Sequence, residues 1–188
     1  MRRLFWQVSV TLDGFMEGPG HDLTWTAQVV DEDFERYCSG MLQSIDGFVV
    51  GRRTYELFVG HWPTATGPDA ERLNELPKLV GSRTLRAVAW RNARLAGDDV
   101  VLEVEAWKRQ PGRDLALFGS ADLAATLLAR GLVDELRLLV TPLLLGSGTP
   151  PFRGDLVVGR HGADLHAGAT LTSCPPAPAT STSVGCAS

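Results

Sequence analysis

At 188 residues, with 44% hydrophobic and 21% charged residues, the chain has apolar material for one domain with a core and too little length for two. No run approaches the ~20 apolar residues that cross a bilayer, and Ser9, Thr11 and Asp13 interrupt the apolar start before a signal-peptide core can form, so a cytoplasmic protein without a membrane partner is expected. The formal charge of −4 argues against a nucleic-acid partner, whose phosphates call for a basic surface, while leaving room for a local basic pocket.

In chain order, residues 3–12 read as a strand, with Leu4, Trp6, Val8 and Val10 on one face and Arg3, Gln7, Ser9 and Thr11 alternating between them. Asp13-Gly14 breaks it, and a polar loop runs to Trp25. Acidic residues open a helix over 31–42, in which Phe34, Tyr37, Cys38, Met41 and Leu42 recur at helical spacing. A strand over 45–50 with a continuous apolar end suits burial on both faces, and a short helix follows over 54–59. After a loop from Trp62-Pro63 to Pro68 comes a helix over 69–76, then strand-like segments over 78–81 and 87–90. Residues 100–108 form an amphipathic helix ended by Gln110-Pro111-Gly112. A buried strand over 115–118, a helix over 121–129 closed by Gly131, and the longest strand, over 135–145, complete the series. Strands alternating with helices predict an α/β fold with a largely parallel sheet. From Gly154 the hydrophobic pattern weakens, and Cys174-Pro175-Pro176-Ala177-Pro178 opens an uncharged Ser/Thr/Ala/Pro segment with the composition of disorder.

Cys38, Cys174 and Cys186 make neither a CxxC pair nor an even disulfide set and read as thiols of a reducing compartment. The four histidines are scattered; His161 and His166 flank Asp164 in an irregular stretch, and no metal site is expected.

In open α/β sheets, ligands gather beyond the carboxyl ends of the strands, and three strand-to-helix junctions there carry phosphate-suited chemistry. Gly51-Arg52-Arg53-Thr54 combines close backbone approach, charge, a hydroxyl and the free amides of a starting helix. Ser82-Arg83-Thr84 sets hydroxyls around a guanidinium, a grouping that grips a phosphate monoester. Gly119-Ser120-Ala121 runs from a strand through glycine into a helix, with Asp122 in the first turn. Taken singly, each has an ordinary structural reading: a turn with a solvated Arg, or Ser120 as a helix cap. Together they favour a nucleotide or dinucleotide. The dinucleotide GxGxxG, the phosphate-loop GxxxxGK[ST], the GxSxG elbow and the zinc-deaminase signature are all absent from the sequence.

The ordered set Ser9-Val10-Thr11-Leu12-Asp13-Gly14-Phe15, Gly51-Arg52-Arg53-Thr54-Tyr55-Glu56, Ser82-Arg83-Thr84-Leu85, Phe118-Gly119-Ser120-Ala121-Asp122-Leu123, Gly131-Leu132-Val133-Asp134-Glu135-Leu136 and Pro142-Leu143-Leu144-Leu145-Gly146-Ser147-Gly148 resembles the bacterial dihydrofolate-reductase-like family related to the reductase domain of riboflavin biosynthesis. The likeness runs over about residues 3–153 and implies a dihydrofolate-reductase-like three-layer fold, a central mostly parallel sheet flanked by helices. It further implies a reductase domain over 1–158, NADPH as hydride donor and a homodimer. By resemblance, Gly51, Arg52 and Thr54 hold cofactor phosphates; Ser82, Arg83 and Thr84 grip the 2′-phosphate; Gly119, Ser120 and Ala121 lie against the pyrophosphate; and Leu145 and Gly146 sit near the nicotinamide. Asp13, Gly14, Phe15 and Trp25 are the substrate contacts so implied, with core packing an equal reading for Trp25. Asp13 is the leading proton donor beside a bound water, and Asp31, Glu32 and Asp33 lie near where folate reductases place a substrate-binding carboxylate.

The expected activity is hydride transfer to a small heterocyclic or carbonyl substrate, with a catalytically inactive nucleotide-binding module of the same fold as the alternative. No deaminase domain is read in these residues, so a bifunctional riboflavin enzyme is not expected. The family's closing strand pattern, Gly-Val-Val-x-Leu-x-Tyr, is missing from residues 159–188, which read as a divergent, partly disordered tail that leaves a sheet edge uncovered.

Overall fold

The computed structural model describes residues 1–152. Its central strand, β1 (Leu4–Thr11), is buried along nearly its whole length. It leads through α1 (Glu32–Ser44) to β2 (Ile45–Gly51), then through α2 (Arg52–Val59) and α3 (Pro68–Glu75) to β3 (Lys78–Gly81) and β4 (Ala93–Leu95). Helix α4 (Val100–Arg109), β5 (Asp114–Phe118), α5 (Ala121–Ala129) and β6 (Glu135–Thr141) follow. The six strands lie in the order β4-β3-β2-β5-β1-β6, and every pairing among them is parallel. The parallel α/β expectation holds.

Alternation along β1 divides the core. Leu4, Trp6, Val8 and Val10 face α4 and α5, meeting Val104, Ala124 and Leu127. Phe5, with Phe48, Val50 and Phe118 from neighbouring strands, faces α1, α2 and α3 and meets Met41, Leu42, Tyr55 and Leu73. Both faces are therefore covered, as parallel sheets require. This corrects the reading of β1 as half polar: Gln7 and Thr11 point inward and are buried. Local signals explain the helix starts. Asp31 caps α1 by accepting from Phe34 N (2.8 Å), and Asp99 caps α4 by accepting from Val101 N and Leu102 N.

Three departures from the sequence reading have an evident physical or geometric basis. Residues 87–90 form no strand, because the Tyr55 hydroxyl accepts the amides of Ala89 (2.9 Å) and Trp90 (3.3 Å) and the Trp90 indole donates to Asn74 Oδ1 (2.6 Å). Their apolar side chains pin a coil to the core, and the sheet is extended instead by Ala93–Leu95. β6 stops at Thr141, since Pro142 has no N–H for the ladder, so β1 is the longer strand. Helix α2 begins at Arg52, two residues earlier than the spacing indicated. The tail over 159–188 lies outside the described residues.

Lys78, at the start of β3, is only 1% exposed. Its ammonium donates to the carbonyls of Asn74 (3.1 Å), Leu76 (2.6 Å) and Arg91 (3.0 Å) and lies 4.4 Å from the centre of the Trp90 ring. It thereby gathers the carbonyl end of α3 and the loop before β4. Burial, and secondarily repulsion from Arg91, pushes it down to about 8. Replacing it, Lys78→Met, leaves those carbonyls without their donor and is expected to cost about 2 kcal/mol at pH 7. Between pH 8 and the ordinary lysine value the unfolded chain holds a proton that the folded chain has released, so wild-type stability gains on the variant as pH rises through that window. Urea unfolding of both proteins at pH 7 and pH 9.5 checks the sign.

Candidate active-site cleft

Strand order locates the crevice. After β2 the chain moves outward to β3 and β4, whereas after β5 it moves the other way, past β1, to β6. β2 and β5 are neighbours, so their carboxyl ends part at a topological switch point, where open α/β sheets bind ligands. A cleft of about 680 Å³ opens there, within the size range of cofactor sites. Gly51, Arg52 and Thr54 line it from the end of β2, Ser82, Arg83 and Thr84 from the end of β3, and Ser120 and Ala121 from the start of α5. The three junctions that are far apart in sequence share one wall.

Backbone geometry makes this wall a cradle. Gly119 (φ +53) and Ser120 (φ +58) both adopt the left-handed conformation, which is uncommon for serine. The turn is tied down by Ser120 Oγ, which accepts the Gly51 amide at 2.7 Å and lies 2.9 Å from Thr54 Oγ1. A Cβ at Gly51 would sit 2.6 Å from Ser120 Oγ, and one at Gly119 2.8 Å from Thr54 Oγ1, so neither glycine accepts a side chain. Having turned toward β2, Ser120 does not cap α5, and α2 has no side-chain cap either. The first amides of both helices point to the cleft without the caps that serve α1 and α4, an arrangement suited to a phosphate.

The cations are not equivalent. Arg52 is paired with Glu56 (2.9 and 3.1 Å). Arg53 Nη1 lies 3.0 Å from His21 Nδ1, the same nitrogen that is 2.6 Å from Glu17 Oε2, so the loop after β1 reaches over to α2. Among the described residues Arg83 makes no ion pair and stands exposed at the cleft wall. Beside it, Ser82 Oγ accepts the amides of Thr84 (3.2 Å) and Leu85 (2.9 Å) and so shapes the turn that presents the guanidinium.

The remaining residues singled out from the sequence lie outside the cleft wall. Asp13 Oδ1 accepts from Thr11 Oγ1 (2.6 Å), and Oδ2 accepts from Leu145 N (3.0 Å) and Gly146 N (2.7 Å). These bonds, the Thr11 hydroxyl foremost, hold the carboxyl below its ordinary value despite some desolvation. Asp13 is therefore an anchor, held toward its ionised form, that fastens the 145–146 loop to the end of β1. Gly14 (φ +85) makes the turn possible, and Phe15 N donates to Thr11 Oγ1 (3.0 Å). Trp25 is buried, in keeping with its packing alternative, yet its indole N–H has no acceptor. None of the acidic trio reaches the sheet: Asp31 caps α1, and Glu32 and Asp33 are exposed, Asp33 pairing with Arg36 (2.5 Å). Among the described residues no group of three His, Cys, Asp or Glu is placed to hold a metal, and His161 and His166 lie beyond them. Likewise no helix among them is long and apolar enough to cross a membrane.

Two residues at this end of the sheet escaped the sequence reading. Gln7 on β1 is buried, with its Oε1 accepting from the Tyr37 hydroxyl of α1 (2.6 Å). The available signal was the aromatic Phe5 two residues before it, on the same side of the strand as Gln7.

An all-parallel α/β sheet with an anion-suited cleft at its switch point defines a domain of dihydrofolate-reductase-like fold. A dihydrofolate reductase of Schistosoma mansoni superposes with a TM-score of 0.51 at 16% identity, over 82% of this chain and 81% of that one. A diaminohydroxyphosphoribosylaminopyrimidine deaminase/5-amino-6-(5-phosphoribosylamino)uracil reductase of Thermotoga maritima gives 0.59 at 15% identity, over 84% of this chain and 50% of that one. In sequence, the chain is 35% identical over 156 residues to "Uncharacterized protein YyaP" of Bacillus subtilis (strain 168), covering 80% of each. The pattern of the RibD C-terminal domain family matches residues 2–166, and the chain belongs to that reductase-like family.

The Asp13 anchor has a measurable consequence. In Asp13→Ala the Leu145 and Gly146 amides lose a charged acceptor, and their hydrogen exchange is expected to accelerate about tenfold or more. Because the folded carboxyl is held low, wild type keeps its protection down to acid pH and loses it only as pH falls through the depressed value. Site-resolved exchange across pH 3–7 checks both statements.

Proposed function

We propose that this protein is an NADPH-dependent reductase that delivers hydride to a small heterocyclic or carbonyl substrate. The observation that carries the reading is the convergence, at one switch point, of two uncapped helix N-termini with the unpaired Arg83. The amides of α2 and α5, with Thr54 and Ser120, would hold the pyrophosphate through hydrogen bonds and helix dipoles. Ser82, Arg83 and Thr84 would take the 2′-phosphate, a dianionic group that a guanidinium binds in bidentate fashion. NADPH would supply a hydride; the chain's part is to orient the two partners and exclude water between them. Leu145 and Gly146, fastened by Asp13, would border the nicotinamide end, with Gly14 and Phe15 beside them and Trp25 contacting substrate. With Asp13 held toward its ionised form, a water is the better proton source.

Two things support a reductase above a bare nucleotide-binding module: membership of the RibD C-terminal domain family, and the name of the Thermotoga maritima neighbour, a reductase of an aminouracil. The inactive alternative predicts cofactor binding with no turnover on any substrate. A homodimer is proposed on the resemblance, joined along β6, the edge of the sheet among the described residues, where Leu136, Leu138 and Val140 are 40–47% exposed; light scattering is expected to give about twice the 20.3 kDa chain mass.

Titration with NADPH and NADH, followed by tryptophan fluorescence, tests the cofactor assignment. NADPH is expected to bind at least about tenfold more tightly, as one charge-assisted contact provides, and Arg83→Ala is expected to abolish the preference while leaving NADH binding unchanged. A folded protein that binds neither dinucleotide overturns the assignment.

A further inference from the structure

Among the described residues only two buried side-chain polar atoms lack a partner, and both are N–H donors: Gln7 Nε2 and Trp25 Nε1. Leaving such a donor unpaired costs about 1–3 kcal/mol, so each calls for an explanation. Trp25 already has a place in the reading above; Gln7 has none.

Gln7 occupies a telling position. Its carbonyl accepts the Gly119 amide (3.3 Å), and the preceding residue, Trp6, donates its indole N–H to the Gly119 carbonyl (2.9 Å). Trp6 and Gln7 are successive strand residues and face opposite sides of the sheet, so Gln7 sits back to back with the glycine turn of the cleft, on the α1 side. There its Oε1 is already taken by Tyr37, whose hydroxyl donates at 2.6 Å. With Oε1 placed on that hydroxyl, the NH₂ group is left over, and an amide NH₂ can only donate. Tyr37 is itself 36% exposed.

The neighbours set the charge of the ligand. Arg137 lies opposite Gln7 in register, but its guanidinium is bound to Glu135 (2.6 and 3.3 Å) and stacked 3.7 Å from the centre of the Phe5 ring. Glu135 is likewise engaged, by Arg137 and by Arg3 at 3.5 Å. The one side-chain group left unpaired at this place is a neutral donor.

We propose that Gln7 is a specificity-determining residue of the substrate site: held by Tyr37, its amide NH₂ donates to a ring carbonyl of an uncharged heterocycle, so that oxo-substituted rings are selected over amino-substituted ones. The proposal rests on the reductase reading, and Tyr37 acts in it as a positioning residue. A ring bearing amino groups would meet donor with donor; an anion would find no unpaired cation here.

The test uses two probes of one ring system, 2,4-dioxopteridine and 2,4-diaminopteridine, titrated by their own fluorescence into the full chain saturated with NADP⁺. Wild type is expected to favour the dioxo ring at least about tenfold, the value of one hydrogen bond to a buried donor. Gln7→Leu should lose that advantage without losing thermal stability, since it removes an unpaired polar atom from the core. Gln7→Glu, nearly isosteric and acceptor-only, should reverse the preference; Tyr37→Phe, which frees the amide to flip, should reduce it. Preference for the diamino ring in wild type, binding of neither ring, or the wild-type preference persisting in both Gln7 variants would overturn the proposal. NADPH titration of the same samples separates the two readings: if NADPH binds and the rings do not discriminate, only the role of Gln7 fails, whereas loss of NADPH binding by wild type removes the cofactor assignment itself.

Discussion

The hydrogen bond from the Gly51 amide to Ser120 Oγ, 2.7 Å long, joins the carboxyl ends of the two strands between which the sheet reverses direction. A serine in the left-handed conformation costs on the order of 1 kcal/mol, and the bond offsets that cost while removing the side chain from its usual work as a helix cap. Two consequences follow from the one contact. The amides at the start of α5 stay available, and the Gly51 backbone is drawn in so closely that no Cβ fits beside it. Both helix N-termini then face the same gap. Sheet topology supplies the gap, and the serine gives it donors.

This arrangement explains how a chain with net charge −4 can hold an anion. The protein needs no basic surface, because much of the positive potential comes from oriented peptide dipoles. Side-chain cations are mostly already committed: Arg52 to Glu56, Arg53 to the His21–Glu17 pair. Arg83, at the end of β3 and one strand removed from the glycine cradle, lines the cleft without an ion pair among the described residues, as does Arg130 after α5. Backbone donors at the centre with guanidinium groups at the flank suit a ligand with an inner diester and an outer monoester.

What the sequence made legible was what depends on local rules. Glycines and hydroxyls at strand ends, acidic helix starts and buried apolar runs identified the sheet, its parallel sense and all three junctions of the cleft. The misses share a different cause. Residues 87–90 alternate like a strand, yet their amides are served by a tyrosine hydroxyl from another helix, which no local pattern encodes. Asp13 stands beside the glycine turn as a reactive carboxylate would, and only the fold reveals two amides from residues 145 and 146 on it. Gln7 looked like the solvent side of an amphipathic strand because its covering helix lies some 30 residues later. Roles settled by long-range hydrogen-bond partners are the ones a single sequence conceals.

β1 carries this logic across the sheet. Trp6 faces α4 and α5 and reaches with its indole to the Gly119 carbonyl, while Gln7, one residue on, faces α1 and receives the Gly119 amide on its backbone. Both backbone polar groups of Gly119 are thus held by adjacent residues of one strand, so the glycine turn cannot shift without moving β1. Because a strand's side chains alternate, the residue that braces the cleft and the residue that presents an unpaired amide are necessarily on opposite faces, and their separation is fixed by one residue of rise. A one-residue change of register in β1 would exchange the two, putting the indole on the α1 side and the amide into the α4–α5 core. The Lys108–Asp134 pair, with Asp134 Oδ2 accepting the Leu4 amide at 2.6 Å and the Lys108 ammonium at 2.5 Å, pins the other end of the same strand against that slip.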